Sequence, residues 1–300
     1  MRALALRAGL AWAFAGAFIG QALAWGQEGH SIIAEIAQVR LSPQAAKAVG
    51  ELLNGHSLAS AANWADDFRD KHHDTTNWHF ADIPLTSDTY VPIRDCKANA
   101  DAGDCVVAEL DRLKIDLRCA PNVETFDPPT HEKRNPKIEA LKFAVHFIGD
   151  IHQPLHDIGE DQGGNLILVD LFAHGLICKG SCIPTHMHMK FHEAWDTGLI
   201  KKAVWNWGAY VDRLEAGDGW LNSAEAKQKD IDDGTPRDWA IETHHAAQAA
   251  WNALPENYVL DDNYFNKALP ILDRQLGVAG LRLARFLNDA YAAECPAPAH

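Results

Sequence analysis

From His146 to His156 the sequence reads HFIGDIHQPLH, directly after the apolar run LKFAV. His146 and Asp150 are four residues apart, so on a helix they share one face. His156, beyond Pro154, stands off that helix and can turn toward a different point. His152 falls on another face and reads as structural. The spacing recurs in FHEAWDT, where His192 and Asp196 are again four apart on an expected helix. Imidazole nitrogen and carboxylate oxygen on rigid supports are the donor set of borderline divalent cations such as zinc. Either pair alone reads more readily as an ordinary surface pair. Asp66 in NWADD and His79 in NWHFAD alter that balance, because each sits beside a tryptophan in an apolar setting where an unpaired polar group is costly. His30 in WGQEGH adds a further candidate. The remaining histidines stand apart: His72, His73, His131, His244, His245 and His300 lie in polar sequence and are expected to face water. His188, four before His192, could shadow the second pair.

The elements that must hold these residues are helical. Pro136 to about Ile151 places Ile138, Leu141, Val145 and Ile148 at helical spacing, and Pro154 prevents continuation. Ser42-Pro43 is a helix start, and Gly55 lies just past the end of QAAKAVGELLN. DDNYFNKALPILDRQLGVAGLRLARFLNDAY reads as a long amphipathic helix, bent or interrupted at Pro270. NLILVDLF is the best strand candidate. With no internal repeat and no linker-like boundary, the expectation is an all-α fold: a single, mostly helical domain with long loops.

That domain is expected over residues 25–300. Arg2 and Arg7, the apolar stretch LAWAFAGAFIG and the small-x-small Ala22-Leu23-Ala24 read as a secretory signal peptide over residues 1–24. The stretch is shorter than the roughly 20 residues a spanning helix needs, so no membrane anchor is expected. The mature chain would begin at Trp25. All six cysteines remain after such cleavage, and an even number in an exported protein reads as disulfides. The preferred pairs are local, Cys96 with Cys105 and Cys178 with Cys182, which leaves Cys119 to Cys295. The net charge is −14, which taken alone argues against a phosphate-rich partner. Bound divalent cations would reverse the sign of the field locally.

Taken in order, WGQEGH, WADDFR, WHFAD, HFIGDIHQPLH, GGN and HEAWDT resemble the trinuclear-zinc, single-strand-specific nuclease family, typified by mung bean nuclease and the secreted fungal nucleases. RDC before Cys105-Val106-Val107 and the C-terminal LDRQLGVAGLRLARFLND extend the likeness across nearly the whole mature chain. One departure stands out: the segment between Gly163-Gly164-Asn165 and His192 is longer than the fungal pattern and carries its own cysteine pair. The resemblance implies the helical scaffold shared with zinc-dependent phospholipase C, and three Zn²⁺ ions. One would be held by Asp66, His79, His146 and Asp150. A second would use His30, a bridging Asp150, and the free amine and carbonyl of Trp25. The third would take His156, His192 and Asp196.

The same resemblance implies a mechanism and partners. Two close metals would activate a bridging water for in-line attack at phosphorus while the third stabilises the departing 3′-oxygen. Arg69 matches the arginine that offsets charge on the pentacovalent phosphorus. Phe80 and Asp82 match a pair that stacks on a nucleobase and accepts from its edge, and Asn165 matches a substrate-positioning residue. The expected substrates are single-stranded DNA and RNA, giving 5′-nucleotides, together with 3′-mononucleotides. The expected protein is a monomer, secreted or periplasmic. Two rivals are weighed. A zinc-dependent phospholipase C typically ends its metal set in a His-x-x-x-Glu pair, where this chain has Asp196, and has no use for a stacking ring followed by an aspartate. A non-catalytic exported zinc-binding protein would need no arginine beside the metals.

Overall fold

The computed structural model describes residues 25–127, 132–174 and 184–295. The expected leader, the Cys178/Cys182 pair, His131 and His300 lie outside the described residues. Helices dominate. α1 (Gln27–Gln38), α2 (Pro43–Leu52), α3 (Trp64–Arg69), the single turn α4 (Pro92–Asp95) and α5 (Val106–Cys119) lead to α6 (Pro136–Asp150). After the short α7 (Asp161–Gly164) and α8 (Phe191–Glu193) come α9 (Leu199–Ala203), α10 (Trp207–Glu215), α11 (Pro236–Asn252) and α12 (Asp262–Ala292). Strands are few. β1 (Thr125–Phe126) pairs with β2 (Lys133–Arg134), and in a three-stranded sheet β3 (Leu168–His174) runs antiparallel to β4 (Pro184–Lys190) and parallel to β5 (Val259–Leu260). The all-α expectation holds, and NLILVDLF supplies most of β3.

Local chemistry sets the helix starts. Ser42 accepts a hydrogen bond from Ala45 N at 3.2 Å, and Pro43 occupies the first turn, where its missing N–H costs nothing. Asn135 does the same for α6, accepting from Lys137 N at 3.1 Å and Ile138 N at 3.2 Å ahead of Pro136. From Ala140 to Asp150 nearly every residue of α6 is buried, so the helix runs through the core with protein on all sides. One face, with Leu141, Val145 and Ile148, is apolar, and the opposite face carries His146 and Asp150.

Of the bend or interruption expected at Pro270, the interruption is absent: α12 passes through it as one helix. Pro270 lies on the exposed side, while Tyr264, Ala268, Leu272, Leu276, Leu283 and Leu287 are buried along the other side. Burying each large apolar side chain contributes about 1.5–3 kcal/mol, which together outweighs a proline cost of roughly 3 kcal/mol.

Two disulfides lie among the described residues, Cys96–Cys105 and Cys119–Cys295, both as expected. The second ties the end of α5 to the segment after α12 across 176 residues of sequence. Closing so long a loop removes unfolded-state entropy worth about 5 kcal/mol at most. Replacing Cys119 and Cys295 together by serine should therefore lower unfolding free energy by several kcal/mol in denaturant titration. An unchanged midpoint would show that the bridge constrains nothing.

Candidate metal centre

Ligand-type side chains from separate stretches of sequence meet around the buried face of α6. His30 arrives from α1, Asp66 from α3, His79 from the end of a 3₁₀ turn, and His146 and Asp150 from α6 itself. His30 approaches α6 over Gly149, where a Cβ would lie 2.5 Å from His30 Nδ1, so the HFIGD motif needs glycine to admit that ring. The rings of His30 and His146 stack at 3.9 Å.

Around Asp150 the donor atoms converge. Its carboxylate lies 2.9 Å from His79 Nδ1, 3.3 Å from His146 Nε2 and 3.4 Å from His30 Nε2. Asp66 Oδ1 is 3.6 Å from His146 Nε2 and 3.8 Å from His79 Nδ1. Three groups of buried ligand-type atoms result, each within 4.8 Å of one another: His30, His146 and Asp150; Asp66, His79 and His146; and His156, His192 and Asp196. His146 belongs to the first two groups at once, a sharing that sequence spacing could not reveal.

The outer nitrogens of three histidines are already engaged. His146 Nδ1–H donates to Ala62 O, His156 Nδ1–H to His79 O and His192 Nδ1–H to Gly163 O, each at 2.7 Å. These bonds commit each Nδ1 as a donor and turn each Nε2 inward, as the outer partners of metal-binding histidines do. The Gly163 carbonyl is presented by a turn in which Gly163 has φ +63° and its Cβ would lie 2.4 Å from Leu155 O. That explains the first two residues of the GGN motif.

Burial makes this set costly unless a cation joins it. Both ring nitrogens of His30, Nε2 of His79, both oxygens of Asp66 and Oδ1 of Asp150 are buried without hydrogen-bond partners. Burial opposes charge on His146, yet the carboxylates of Asp150 and Asp66 outweigh it and push that imidazole up to about 10. Burial brings His30 down to about 4 and His192 to about 3. Unfilled donors of mixed nitrogen and oxygen type, with two carboxylates ionised beside them, fit divalent ions of the zinc class.

The other sequence-derived positions fall around this core. Trp25 is fully buried, and Gly26 N donates to Asp196 O at 2.9 Å, so the segment that would become the mature terminus is anchored to the third group. Arg69 is 6% exposed, with Nη2 at 3.2 Å from Asp66 Oδ1. Phe80 is half-buried and shares with Asp82 the wall of a cavity of about 490 Å³. Asn77, Asp95, Lys97, Asn99 and Asp104 line the same cavity, and no motif in the sequence singles them out. The Cys96/Cys105 pair is the available signal, because its loop folds over Asp82, whose N–H donates to Asp95 O at 3.0 Å. Asn165 is half-buried, with Nδ2 donating to Gln162 O at 2.9 Å and Oδ1 unpartnered.

Two histidine expectations are corrected, and the alternative raised for His188 falls away. His244 does not face water: it is buried, and Nδ1–H donates to Asp157 O at 2.6 Å. His72 is largely covered, its ring stacked on Phe68 at 3.9 Å. His188 does not join the third group; its side chain is 85% exposed on β4 and pairs with Asp170. His152 is structural as expected, bonding Ile148 O at 2.7 Å and accepting from Arg282 at 2.9 Å.

A model of the S1/P1 nuclease family matches residues 25–292. The chain belongs to that family. Membership makes it a nuclease, a hydrolase. "Endonuclease 2" of Arabidopsis thaliana is 32% identical over 281 residues, covering 89% of this chain and 90% of its own length. "Nuclease P1" of Penicillium citrinum is 26% identical over 90% of this chain and 99% of its own length, and "Nuclease S1" of Aspergillus oryzae is 27% identical over 88% and 91%. The S1/P1 match begins at Trp25, which is fully buried. Among the described residues no helix is long and apolar enough to cross a membrane.

Proposed function

We propose that this S1/P1 family member is an exported, monomeric zinc endonuclease that hydrolyses single-stranded DNA and RNA to 5′-nucleotides and also removes phosphate from 3′-mononucleotides. One observation carries the reading: three groups of buried imidazole and carboxylate atoms lie together among the described residues, and donor atoms of His30, Asp66, His79 and Asp150 have no hydrogen-bond partner. Bound zinc would supply Lewis acidity at the phosphoryl group and lower the pKa of attacking water. Asp66, His79, His146 and Asp150 would hold one ion; His30, Asp150 and the amine and carbonyl of a processed Trp25 a second; His156, His192 and Asp196 the third.

The chain's own groups then orient the substrate. Arg69, braced on Asp66, places a planar cation where charge grows on the phosphoryl oxygens. Phe80 offers a ring on the cavity wall for a base to stack on and Asp82 an acceptor for its edge, and Asn165 is assigned to substrate positioning by its place in the GGN motif. A base is cheap to splay from a single strand and expensive to take from a duplex, which gives the single-strand preference. Phe80→Ala should cost about 1–3 kcal/mol of base stacking, a roughly 5- to 150-fold fall in kcat/KM on dinucleotides. Equal kcat/KM in the variant would remove Phe80 from the site.

The deciding experiment incubates the processed enzyme with single-stranded DNA, RNA, a 3′-mononucleotide and phosphatidylcholine, with and without a chelator. Cleavage of the first three, lost on chelation and restored by zinc, is expected. Turnover of phosphatidylcholine alone would make it a phospholipase C, and no turnover at all would make it a binding protein.

A further inference from the structure

Gln153 lies between two candidate metal ligands in the QPLH turn and is itself completely buried. Its Nε2 donates to Asp196 Oδ1 at 2.6 Å, and its Oε1 accepts from Leu155 N at 2.5 Å. The two contacts together fix the amide orientation, since a carboxylate can only accept and a backbone N–H can only donate. Its main chain is engaged as well: Gln153 N donates to Asp150 O and His156 N donates to Gln153 O, both at 2.9 Å. One residue thus touches the segments carrying Asp150, His156 and Asp196.

Asp196 needs such a partner more than its companions do. His156 and His192 are each oriented by a backbone carbonyl, through bonds at 2.7 Å. Asp196 sits in the π-helical turn Ala194–Gly198, where the widened ring leaves its side chain without the regular helical setting of its neighbours. Among the described residues the Gln153 amide supplies the one hydrogen bond to its carboxylate. On its backbone side, Asp196 O accepts from Gly26 N at 2.9 Å, so the position of this residue also governs where the Trp25 segment lies.

We propose that Gln153 is a positioning residue for the third metal: its amide holds the Asp196 carboxylate in the rotamer that faces His156 and His192. The assignment rests on the metal reading of His156, His192 and Asp196 given above. A donor that carries no charge suits the task, because it occupies one lone pair of the carboxylate and leaves the others for a cation without competing for it.

Two substitutions separate this role from simple loop packing. Gln153→Glu keeps an acceptor for Leu155 N but turns a like charge toward Asp196, and Gln153→Met keeps the volume and loses both bonds. The holoenzymes are equilibrated against buffered free zinc, and bound zinc, kcat and KM for a dinucleotide are measured. The wild type should hold three zinc ions, and both variants should bind the third 10- to 100-fold more weakly. At limiting zinc kcat should fall in parallel while KM stays within about twofold, and excess zinc should restore kcat; a packing defect would show neither the selectivity nor the rescue. Wild-type affinity for the third ion in either variant, or failure of excess zinc to rescue, overturns the assignment of Gln153. A wild type that binds only two ions overturns the third site itself, and the proposal with it.

Discussion

Asp150→Asn should abolish nuclease activity by roughly a thousandfold or more, because it removes the one carboxylate that three imidazoles from three separate elements converge upon. Its oxygens lie 2.9 Å from His79 Nδ1, 3.3 Å from His146 Nε2 and 3.4 Å from His30 Nε2. Metal Lewis acidity contributes several kcal/mol to the transition state, and about 4 kcal/mol corresponds to three decades of rate. An asparagine keeps the shape, yet offers a neutral oxygen and an N–H₂ that points donors at any cation. The variant should lose metal from the His30 and Asp66 groups and keep the ion at His156, His192 and Asp196, whose donors come from other elements. Elemental analysis beside steady-state kinetics reads both effects. Retention of three metals with activity within tenfold of wild type would remove Asp150 from the centre.

The second large effect concerns the residue before Trp25. A chain that keeps even Ala24 attached is expected to bind one zinc fewer and to lose activity by two orders of magnitude or more, on the same arithmetic of metal-derived stabilisation. An amine has a free lone pair to give to a cation; an amide nitrogen has its pair delocalised into the carbonyl and gives none. The segment has little freedom to compensate. Trp25 is fully buried, Gly26 N is fastened to Asp196 O at 2.9 Å, and a Cβ on Gly29 would lie 2.9 Å from Trp25 Cβ. Comparing a chain that starts at Trp25 with one that carries a single extra alanine tests this directly. Equal zinc content and equal kcat in the two would show that the terminus is no ligand, and would leave the His30 group to be completed by solvent.

Both predictions start from positions legible in the sequence, but in different ways. The i, i+4 spacing of His146 and Asp150, the start at Pro136 and the Pro154 stop are local features, and local physics fixes them: helical periodicity and the restrictions that proline places on a helix. Each survives unchanged in the folded chain. The second pair shows where local information stops. His192 and Asp196 are four apart as on an α-helix, yet Asp196 lies in a π-helical turn that the sequence does not announce. His244 departs from its expected place for a related reason. Its sequence neighbours are polar, but α11 packs the ring against the Asp157 carbonyl, a contact across 87 residues.

By itself the sequence determined the helical class, the Pro136 start and Pro154 stop of α6, and the pool of side chains of metal-ligand type. These follow from short-range sterics and from the periodicity of burial. Only the tertiary structure decided which donors share a centre, that His146 stands in two groups, that α12 tolerates Pro270 on its wet side, and that the Cys96–Cys105 loop closes a cavity over Phe80 and Asp82. Those outcomes depend on how α1, α3, α6 and the Phe191–Gly198 segment pack against one another. Such contacts between distant residues are set by the whole core rather than by any stretch of neighbours.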